Sequence, residues 1–405
     1  MDIIKAQESL NIVICNDFGS INGGAAKVAI NSAIGLAKHG YNVIFFCGVG
    51  PIEEDLKKNV KEVICLDQKD ILNNSARLKA ITGGIWNHSA KKAMDQILKR
   101  LEGKTIVHIH GWTKCLTSSI FKACHDNGVV PFVSIHDYFA ACPNGGFYNY
   151  RKETICKYPG ICIGCLLNNC DSRSYIHKVW RVLRQIIQDR YVRRSEDIIY
   201  IATSCFSYNA IKTSLKSNKV RWVKNPINIY KGPFVKCAEN EIFLFIGRIS
   251  EEKGADLFCD AISRTSSKGI VIGSGNELEA YRKKYKGIEF VGWKNFDEME
   301  QYISKTRALV VSSRYYEGSP LIVPEMQCYG IPCIVPDKCA ASDTIKDGIN
   351  GKIFSSGSLE SLCRTIEIVK HNNNTDSLFH PENWDNEYIS MEKHIEELIK
   401  AYGVE

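Results

Sequence analysis

LNIVICNDFGSINGGAAKVAINSAIGLAKHGYNVIFFC, residues 10–47, is the stretch that decides the fold of this chain. It joins an apolar run of strand length at 10–15, a polar loop at 17–24, a segment of helical periodicity at 25–39 and a second apolar run at 41–47. Gly40 stands where a helix would end. A strand, a helix and another strand in this order predict a parallel sheet of the doubly wound kind.

The same alternation continues along the chain and starts again after about residue 220. Further strands are predicted at 105–109, 129–135, 242–246, 269–272, 288–291, 308–312 and 331–336, and helices at 255–263, 320–329 and 386–402. The sequence VKNP at 223–226 contains an Asn-Pro turn and marks the boundary. We predict an α/β chain with Rossmann-like, doubly wound domains at 1–222 and 223–383, facing a cleft, and a helix in 384–405 that packs back on the first domain.

Length and charge narrow the possible classes of protein. A chain of 405 residues is too long for a single compact core. Its 52 Lys and Arg against 45 Asp and Glu are too balanced for a dedicated nucleic-acid-binding protein. The start, MDIIKAQESL, lacks the pattern of a signal peptide, and no apolar run approaches the ~20 residues of a membrane helix. We therefore expect a cytoplasmic protein with mostly reduced cysteines.

Two motifs in the second half carry chemistry. GRISEEKG (247–254) follows a predicted strand, and its Arg248 and Lys253 are suited to binding a phosphate anion. YYEGSPLIVPEMQCYG (315–330) places Glu317 in a loop and Glu325 on a predicted helix, whose first N–H groups favour an anion. A carboxylate such as Glu325 could accept hydrogen bonds from ribose hydroxyls.

Taken together, these motifs resemble the carboxy-terminal half of the retaining family 4 glycosyltransferases, which have the GT-B fold. The resemblance extends through most of residues 242–354: VIGSGNELEAY (271–281) is similar to the family's glycine turn, and 288–313 to the strand and helix that contact the base. NGGAAKVAINSAIGLAKHGYNV (22–43) is similar to its first loop and helix. Ser319 and Pro324 depart from many members, which leaves the preference for a sugar open.

The resemblance implies roles for matching positions. Arg248 and Lys253 would bind the donor diphosphate and stabilise it as it leaves. Glu317 would contact the transferred sugar, and Glu325 the ribose. The other positions implied in binding the nucleotide-sugar are Gly23, Gly24, Gly247, Gly292, Trp293, Lys294, Gly318, Ser319, Pro320 and Leu321.

Two histidines follow predicted strands in the first half. His136, in SIHDYF (134–139), matches a family position that reaches the donor sugar, and imidazole can donate or accept a hydrogen bond near pH 7. His110, in HIHGW (108–112), is expected on the acceptor side. Asp137 either orients His136 or caps the following loop, and the sequence does not choose between these roles.

Five cysteines crowd into residues 142–170. Cys142, Cys156, Cys162 and Cys165 have types and spacings that could provide four thiolate ligands for a structural zinc ion, with Cys170 as a fifth candidate. An iron–sulfur cluster and unliganded loop thiols are the alternatives. The segment also resembles a Cys-rich insert found in a subset of the family.

Residues 173–194, RSYIHKVWRVLRQIIQDRYVRR, form a basic and amphipathic segment. Its apolar residues fall on one helical face: Ile176, Val179, Trp180, Leu183, Ile186, Ile187 and Tyr191. This pattern is typical of a helix that lies on an anionic membrane surface. The alternative is a domain helix whose apolar face packs on the sheet and whose basic face is solvated.

The function that these features predict is retaining transfer of a sugar from a nucleotide-sugar, with UDP or GDP as the carrier. The acceptor would be a glycan or lipid-linked acceptor in the synthesis of cell-surface polysaccharide, bound by the first domain. No Asp-x-Asp occurs in the chain, so we expect catalysis that needs no metal and depends on positioning and charge stabilisation. The alternatives are a nucleotide-sugar epimerase of the same fold and a non-enzymatic nucleotide-binding scaffold. We expect the protein in the cytoplasm, at the inner face of the membrane.

Overall fold

The computed structural model describes residues 10–71, 81–158, 160–372, 377–385 and 388–404. The chain divides into two compact units. The first unit comprises Met1–Gly145, Lys157–Pro226 and Ile389–Glu405, and the second comprises Gly146–Cys156 and Ile227–Tyr388.

Parallel strands form the centre of both units. In chain order, the strands in the described residues are β1 (Asn11–Phe18), β2 (Asn42–Val49), β3 (Glu62–Cys65), β4 (Thr105–Ile109), β5 (Pro131–Ser134), β6 (Tyr148–Asn149), β7 (Thr154–Ile155), β8 (Ile199–Ala202), β9 (Val220–Trp222), β10 (Ile242–Ile246), β11 (Lys268–Ile272), β12 (Ile288–Gly292), β13 (Thr306–Val310), β14 (Cys333–Pro336) and β15 (Gly351–Phe354).

Helices connect most of these strands. In chain order, the α-helices in the described residues are α1 (Gly24–Lys38), α2 (Glu54–Asn59), α3 (His88–Arg100), α4 (Ser119–Asp126), α5 (Ile163–Leu167), α6 (Tyr175–Tyr191), α7 (Cys205–Ile211), α8 (Ala255–Arg264), α9 (Leu278–Lys284), α10 (Phe296–Ile303), α11 (Ile322–Cys328), α12 (Leu359–His371) and α13 (Met391–Tyr402). None of the described helices is long and apolar enough to cross a membrane.

The first unit is a doubly wound sheet with the order β3-β2-β1-β4-β5-β8-β9. Its strands pair in parallel, and the continuous apolar runs of β1 and β2 are buried, as expected for a sheet covered on both faces. Helix α13 packs against α1 through Ile395, which is buried, and an added Cβ at Gly35 would lie 2.8 Å from the Ile395 side chain. A glycine at this position therefore lets the last helix of the chain approach the first one closely.

The second unit repeats this architecture with the order β12-β11-β10-β13-β14-β15, also paired in parallel. One apolar cluster lies around Phe243 and Phe258, and another around Leu244 and Met326. Adjacent residues of β10 thus point into different clusters, which is the alternation that a strand buried on both faces produces. The doubly wound fold predicted for both halves is confirmed.

Some boundaries differ from the predicted ones. The units separate at Pro226 and Ile227, and the segment Gly146–Cys156, predicted in the first domain, lies in the second unit. There it forms the hairpin of β6 and β7, and the Tyr148 hydroxyl lies 3.4 Å from Oε1 of Glu251. Local sequence patterns cannot reveal this placement, because it depends on contacts between segments about 100 residues apart. The last helix begins at Met391, and residues 386–387 of its predicted span lie outside the described part.

Candidate functional site

The predicted donor-binding residues of the second unit follow the carboxyl ends of neighbouring strands. In doubly wound sheets, ligands bind at this edge. The loop after β10 contains Gly247, and the loop after β11 contains Gly273. A Cβ added to Gly273, whose φ is +150°, would lie 1.8 Å from the Gly247 carbonyl oxygen. The two loops therefore pack backbone against backbone, which explains the glycines of the predicted turn.

Gly254 fixes the position of Lys253. It follows the short turn Glu251–Lys253 in the left-handed conformation with φ +67° and immediately precedes α8. A Cβ there would lie 2.0 Å from the backbone oxygen of Ser312, at the end of β13. Only glycine fits both the conformation and the space. The backbone around Lys253 is therefore held against the loop that contains Glu317.

Lys253 and Glu317 form an ion pair inside this loop cluster. The carboxylate of Glu317 is 7% exposed, and it also accepts a hydrogen bond from the Ser313 hydroxyl. Burial alone would lower the pKa of Lys253, but the Glu317 carboxylate outweighs it, and the pKa is raised above its ordinary value. Lys253 is thus a cation at neutral pH, and it is held by one carboxylate and by the face of the Tyr315 ring, whose centroid lies 5.4 Å away.

Sequence reasoning missed a second ion pair that supports this one. Arg314 donates from both terminal nitrogens to Asp256, at 2.6 and 2.8 Å, and also to the Glu251 carbonyl oxygen at 3.0 Å. It thereby connects the turn before α8 to the loop after β13. In the sequence, this ion pair is indicated by the position of Arg314, three residues before Glu317. Its planar side chain is suited to such a two-point contact.

The other predicted donor residues lie around this pair with different degrees of exposure. The side chain of Arg248 is 69% exposed and lies 3.9 Å from Glu252. Gly292 ends β12 with φ +78°, and Trp293 after it is 69% exposed. Lys294 lies 3.7 Å from Glu298. These side chains and glycines therefore lie at the sheet edge where the sequence places them, but Arg248 is not paired with the carboxylate that holds Lys253.

Residues 318–325 form the approach to α11. The helix begins at Ile322, two residues later than predicted, so Gly318, Ser319, Pro320 and Leu321 form the loop before it. Glu325 lies on the helix and is 6% exposed. The predicted contacts of these residues with phosphate and ribose stay predictions.

In the first unit, the predicted glycines lie at the start of α1. Gly23 precedes the helix in an extended conformation, and a Cβ there would meet no atom within 4 Å. Gly24 is the first residue of the helix, and both glycines are exposed. Their place after β1 is the one that the sequence indicates, and open space lies beside Gly23.

Three histidines lie side by side at the ends of β4 and β5. The His108 and His110 ring centroids are 4.1 Å apart, and His110 Nδ1 lies 2.8 Å from His136 Nε2. His108, which the sequence analysis did not single out, contacts the Tyr402 hydroxyl at 2.7 Å and the Ser134 hydroxyl at 2.8 Å. The predicted acceptor-side residue and the predicted donor-sugar residue are therefore one hydrogen-bonded pair.

This pair has a preferred direction of donation. Burial lowers the pKa of His136 to about 4 and that of His110 further below its ordinary value, so both rings are neutral at pH 7. Nε2 of His110 is buried and has no hydrogen-bond partner among the described residues. Because a buried N–H group without an acceptor is rare, the arrangement favours donation from His110 Nδ1–H to His136 Nε2. His136 then presents its Nδ1–H as a donor.

These buried histidines predict a loss of stability in mild acid. An unfolded histidine has a pKa near ~6.5, so protons favour the unfolded chain as the pH falls from ~6.5 toward the folded value. For His136, whose folded pKa is about 4, the free energy of unfolding falls by about 1.4 kcal/mol per pH unit in this window. In urea titrations from pH 7 to pH 5, His136→Phe should flatten this dependence by about one proton.

The matched control is His125→Gln, at a histidine whose side chain is 74% exposed. It should leave the pH dependence of the unfolding free energy unchanged. Equal slopes for the wild type and His136→Phe would mean that His136 is not held neutral in the folded chain.

Asp137 caps the loop that follows β5. Its Oδ1 accepts a hydrogen bond from the Phe139 backbone N–H at 3.0 Å. Of the two roles that the sequence left open, the contact described is the capping one.

The four-cysteine zinc site is not formed by the described residues. Among them, no group of three or more His, Cys, Asp or Glu side chains is placed to hold a metal ion. Cys156 lies in the second unit, whereas Cys142, Cys162 and Cys165 lie in the first. Cys165 instead accepts a hydrogen bond from the buried Lys178 Nζ at 3.3 Å. The spacing of the cysteines could not reveal this ammonium group, because it belongs to a residue of the following helix, α6.

Cys162 and Cys170 have other local roles. Cys162 Sγ accepts a hydrogen bond from the Cys165 N–H at 3.4 Å, at the start of α5. Cys170 Sγ lies 3.2 Å from Lys178 Nζ and 3.1 Å from Asn144 Nδ2. The thiols thus take part in hydrogen bonds that order the segment before α6.

Helix α6 buries its polar face and exposes its apolar one. Its buried residues include Lys178, Arg184, Gln185, Gln188 and Asp189. Among its apolar residues, the exposed ones are Tyr175 (44%), Ile176 (80%), Val179 (43%), Leu183 (50%), Ile186 (53%) and Ile187 (38%). The alternative in which the apolar face packs on the sheet is therefore wrong for these residues.

Two buried polar residues of α6 donate hydrogen bonds to carbonyl oxygens of the loops after β4 and β5. Arg184 donates to the carbonyl oxygens of Thr113 and Pro143, each at 3.2 Å, and Gln188 donates to that of Phe139 at 2.6 Å. Loop carbonyls that lack strand partners need such donors, since a buried unpaired carbonyl is costly. This requirement explains why the polar face is turned inward.

Most of the sequence of the second unit matches a known family model. Residues 229–384 match the family model described as "Glycosyl transferases group 1". The chain is 31% identical over 173 residues to a lipopolysaccharide 1,6-galactosyltransferase of Salmonella typhimurium, an alignment that covers 38% of this chain and 47% of that protein. It is 27% identical over 229 residues to an uncharacterized glycosyltransferase of Methanocaldococcus jannaschii, covering 53% and 64% of the two chains. The matched part thus spans less than two thirds of the length of either relative.

Solved structures match the described fold over nearly its whole length. The galactosyltransferase WaaB of the lipopolysaccharide outer core, in its apo form, has a TM-score of 0.60 at 18% identity, with 97% of this chain and 99% of that chain covered. HepE of Anabaena, solved with UDP, has a TM-score of 0.65 at 12% identity, with 98% and 99% covered. The chain therefore has the fold of the GT-B glycosyltransferases, and its residues 229–384 carry the sequence pattern of the group 1 glycosyltransferases.

Proposed function

We propose that this protein is a glycosyltransferase that moves a sugar from a nucleotide-sugar to a glycan or lipid-linked acceptor in cell-surface polysaccharide synthesis. The observation that carries the proposal is the ion pair of Lys253 and Glu317 at the carboxyl edge of the second sheet. A cation held at this edge can stabilise a departing diphosphate. The names of the matched galactosyltransferases and the UDP bound to HepE support the same chemistry.

Each member of the pair would have a distinct role. Lys253 would donate to the diphosphate oxygens as negative charge develops on them, with the exposed Arg248 as a second cation. Glu317 would orient Lys253 and accept a hydroxyl hydrogen bond from the sugar. Positioning and charge stabilisation would then lower the barrier without a metal ion. Retention of the anomeric configuration is part of this proposal.

In the first unit, the side chain that would donate a hydrogen bond is His136. It is neutral at pH 7, and through Nδ1–H it would donate a hydrogen bond to a hydroxyl or phosphate oxygen. Its position at the end of β5 supports this role, because ligands of doubly wound sheets bind beyond the strand ends. A structure with a bound nucleotide-sugar would reveal the contacts that select the base, the sugar and the linkage.

A panel of UDP- and GDP-sugars tests the proposal directly. We expect slow release of nucleoside diphosphate from one donor in the absence of acceptor, with faster release when a suitable glycan is added. Interconversion of two nucleotide-sugars without an acceptor would instead identify an epimerase. The matches favour transfer over epimerisation, because the relatives include two lipopolysaccharide 1,6-galactosyltransferases. If no donor reacts and none raises the melting temperature of the protein, the non-enzymatic nucleotide-binding scaffold is the alternative that remains.

We also place the protein in the cytoplasm, at the inner face of the membrane, with α6 against the lipid. The exposed apolar residues of α6 are flanked by exposed arginines, Arg173 before the helix and Arg190 and Arg194 at its carboxyl end, and its one acid, Asp189, is paired with Arg193. Such a face gains free energy by entering the interface of an anionic bilayer. A lipid-linked acceptor in that bilayer would then lie near its enzyme.

Vesicle binding tests this placement. We expect the protein to sediment with vesicles that contain phosphatidylglycerol and much less with neutral phosphatidylcholine vesicles. Ile176→Asp should weaken binding at least tenfold, since this side chain is 80% exposed and charge would oppose its insertion. Ile368→Asp, at a 43% exposed residue on α12, is the control and should bind as the wild type does. Equal binding of the two variants would contradict the placement.

A further inference from the structure

A cavity lies at the carboxyl end of α6, on the first unit. Its volume is about 690 Å³. The residues that line it are Trp86, Ile186, Ile187, Arg190, Tyr191 and Arg194. None of these residues has a place in the candidate sugar-transfer site, so the cavity is available for another ligand.

The walls of the cavity are apolar and aromatic. Trp86 and Tyr191 lie with their ring centroids 5.6 Å apart, and two isoleucines of α6 complete the apolar surface. These aromatic and aliphatic side chains lose contact with water when a hydrocarbon segment enters the cavity, and this burial of apolar surface favours binding. None of the described residues that line the cavity carries a carboxylate that would disfavour an anion.

Two guanidinium groups provide the charge. Arg190 and Arg194 are exposed, and neither forms an ion pair within the described part of the chain. Arg190 instead lies over the Tyr191 ring, 5.8 Å from its centroid. Both cations are at the carboxyl end of a helix, where the macrodipole favours positive charge. Arginine binds phosphate through two parallel hydrogen bonds, so this pair fits a phosphate group.

The cavity continues into the exposed apolar face of α6. Ile176, Val179, Leu183 and Ile186 are three or four residues apart and therefore lie on one side of the helix. All four are more than 40% exposed. This row would give a hydrocarbon chain a path of about 15 Å, at 1.5 Å of rise per residue, starting from the cavity.

From this combination we propose that the cavity binds the phosphate headgroup of an amphiphile whose hydrocarbon chain lies along α6. Two sources share this chemistry: a phospholipid of the bilayer, and a lipid-linked acceptor of the transfer reaction. Only the second source rests on the proposed function. The cavity, the unpaired arginines and the apolar row are independent of any catalytic step.

Calorimetric titration with soluble amphiphiles tests the proposal without a nucleotide-sugar. The probes are farnesyl phosphate, farnesol and inorganic phosphate, each below its micelle concentration. We expect farnesyl phosphate to bind at least tenfold more tightly than either of the other two, because only it engages both the arginines and the apolar row. Equal affinity for farnesol, or for inorganic phosphate, would overturn the proposal.

Variants assign the binding to this cavity. Arg190→Gln with Arg194→Gln should weaken farnesyl phosphate binding at least tenfold, and so should Trp86→Ala. Arg364→Gln is the control, at an exposed arginine on α12 of the second unit, and it should bind like the wild type. Unchanged affinity in the double variant would refute the site. A circular dichroism spectrum and a melting temperature like those of the wild type check that each variant folds.

A second amphiphile separates the two sources. Tighter binding of dihexanoyl phosphatidic acid than of farnesyl phosphate would identify a bilayer phospholipid, and the reverse order would identify a prenyl-linked acceptor. If the protein binds neither amphiphile but forms a dimer in which α6 is protected from hydrogen exchange, the face is an interface between two copies and the proposal is wrong. Loss of sugar transfer with intact amphiphile binding would contradict the proposed function alone.

Discussion

Replacement of Lys253 by methionine is expected to lower the rate of sugar transfer by about 10²–10³-fold, the effect of removing one preorganised charge-stabilising group. Methionine has a side chain of similar length to that of lysine but carries no charge. In the structure, Lys253 is the cation that Glu317 and the Tyr315 ring hold at the end of β10. If the charge acts on the departing diphosphate, the loss should appear in kcat as well as in kcat/KM.

The control for this prediction is Lys268→Met, at a lysine 72% exposed on β11 that is paired with Glu241. It should leave the rate within a factor of about two, since an exposed ion pair contributes little. Glu317→Gln completes a double-mutant cycle with Lys253→Met. Because the two side chains act as one unit, the double variant should be little worse than the worse single variant. Additive losses, or a rate for Lys253→Met equal to that of the wild type, would contradict the proposed role.

Gly254→Ala is expected to destabilise the second unit strongly. The substitution adds a Cβ at φ +67°, 2.0 Å from the backbone oxygen of Ser312. The left-handed conformation alone costs about 1–2 kcal/mol for a residue with a side chain. The contact with a backbone oxygen cannot be relieved by a side-chain rotation, so the turn must move away from β13. We therefore expect a total loss above about 3 kcal/mol, in the range that severe strain produces.

Two other glycines of the same unit separate these contributions. Gly357 has φ +74° with no atom within 4 Å of an added Cβ, so Gly357→Ala should cost only the conformational part. Gly287 has open space and no positive φ, so Gly287→Ala should leave the urea midpoint nearly unchanged. The expected order of destabilisation is Gly254, then Gly357, then Gly287. Equal midpoints for Gly254→Ala and Gly357→Ala would show that the backbone contact carries no cost.

Because Lys253 precedes Gly254, the same substitution should also reduce transfer. A stability loss without a change in kcat would mean that the turn can move while the ammonium group stays in place. Activity measured well below the melting temperature of the variant separates the two effects. This experiment connects the packing of the loop to the chemistry of the site.

Sequence periodicity predicted the two sheets well because burial on both faces imposes long apolar runs on parallel strands. β10 has its predicted bounds, β2 lies within two residues of them, and β1 begins one residue later and ends three residues later than predicted. The loops after β10 and β11 could also be predicted from the sequence, since the glycines at 254 and 273 are required by close backbone contacts. For the site, individual residues could be predicted from the sequence, but the pairing of Lys253 with Glu317 and its support by Arg314 could not.

Predictions that depended on contacts between distant segments were less accurate than the predictions of the sheets. The cysteine spacing suggested a metal site, but Lys178 provides a hydrogen-bond donor to Cys165 and Cys170 that no spacing rule contains. His110 and His136 were assigned to different sides of the reaction, yet they are hydrogen-bonded because parallel strands β4 and β5 end next to each other. Neighbouring strand ends bring together residues that are 26 positions apart.

What the sequence determined by itself is the doubly wound architecture and the sheet edge at which the candidate site residues lie, because strand periodicity and glycine loops are local properties. What only the tertiary structure decided is which groups meet and which faces are buried. Helix α6 is the clearest case, since its periodicity reveals two faces without saying which one packs inward. The carbonyl oxygens of Thr113, Phe139 and Pro143 decide that question, because they need the donors of Arg184 and Gln188 more than the sheet needs another apolar face.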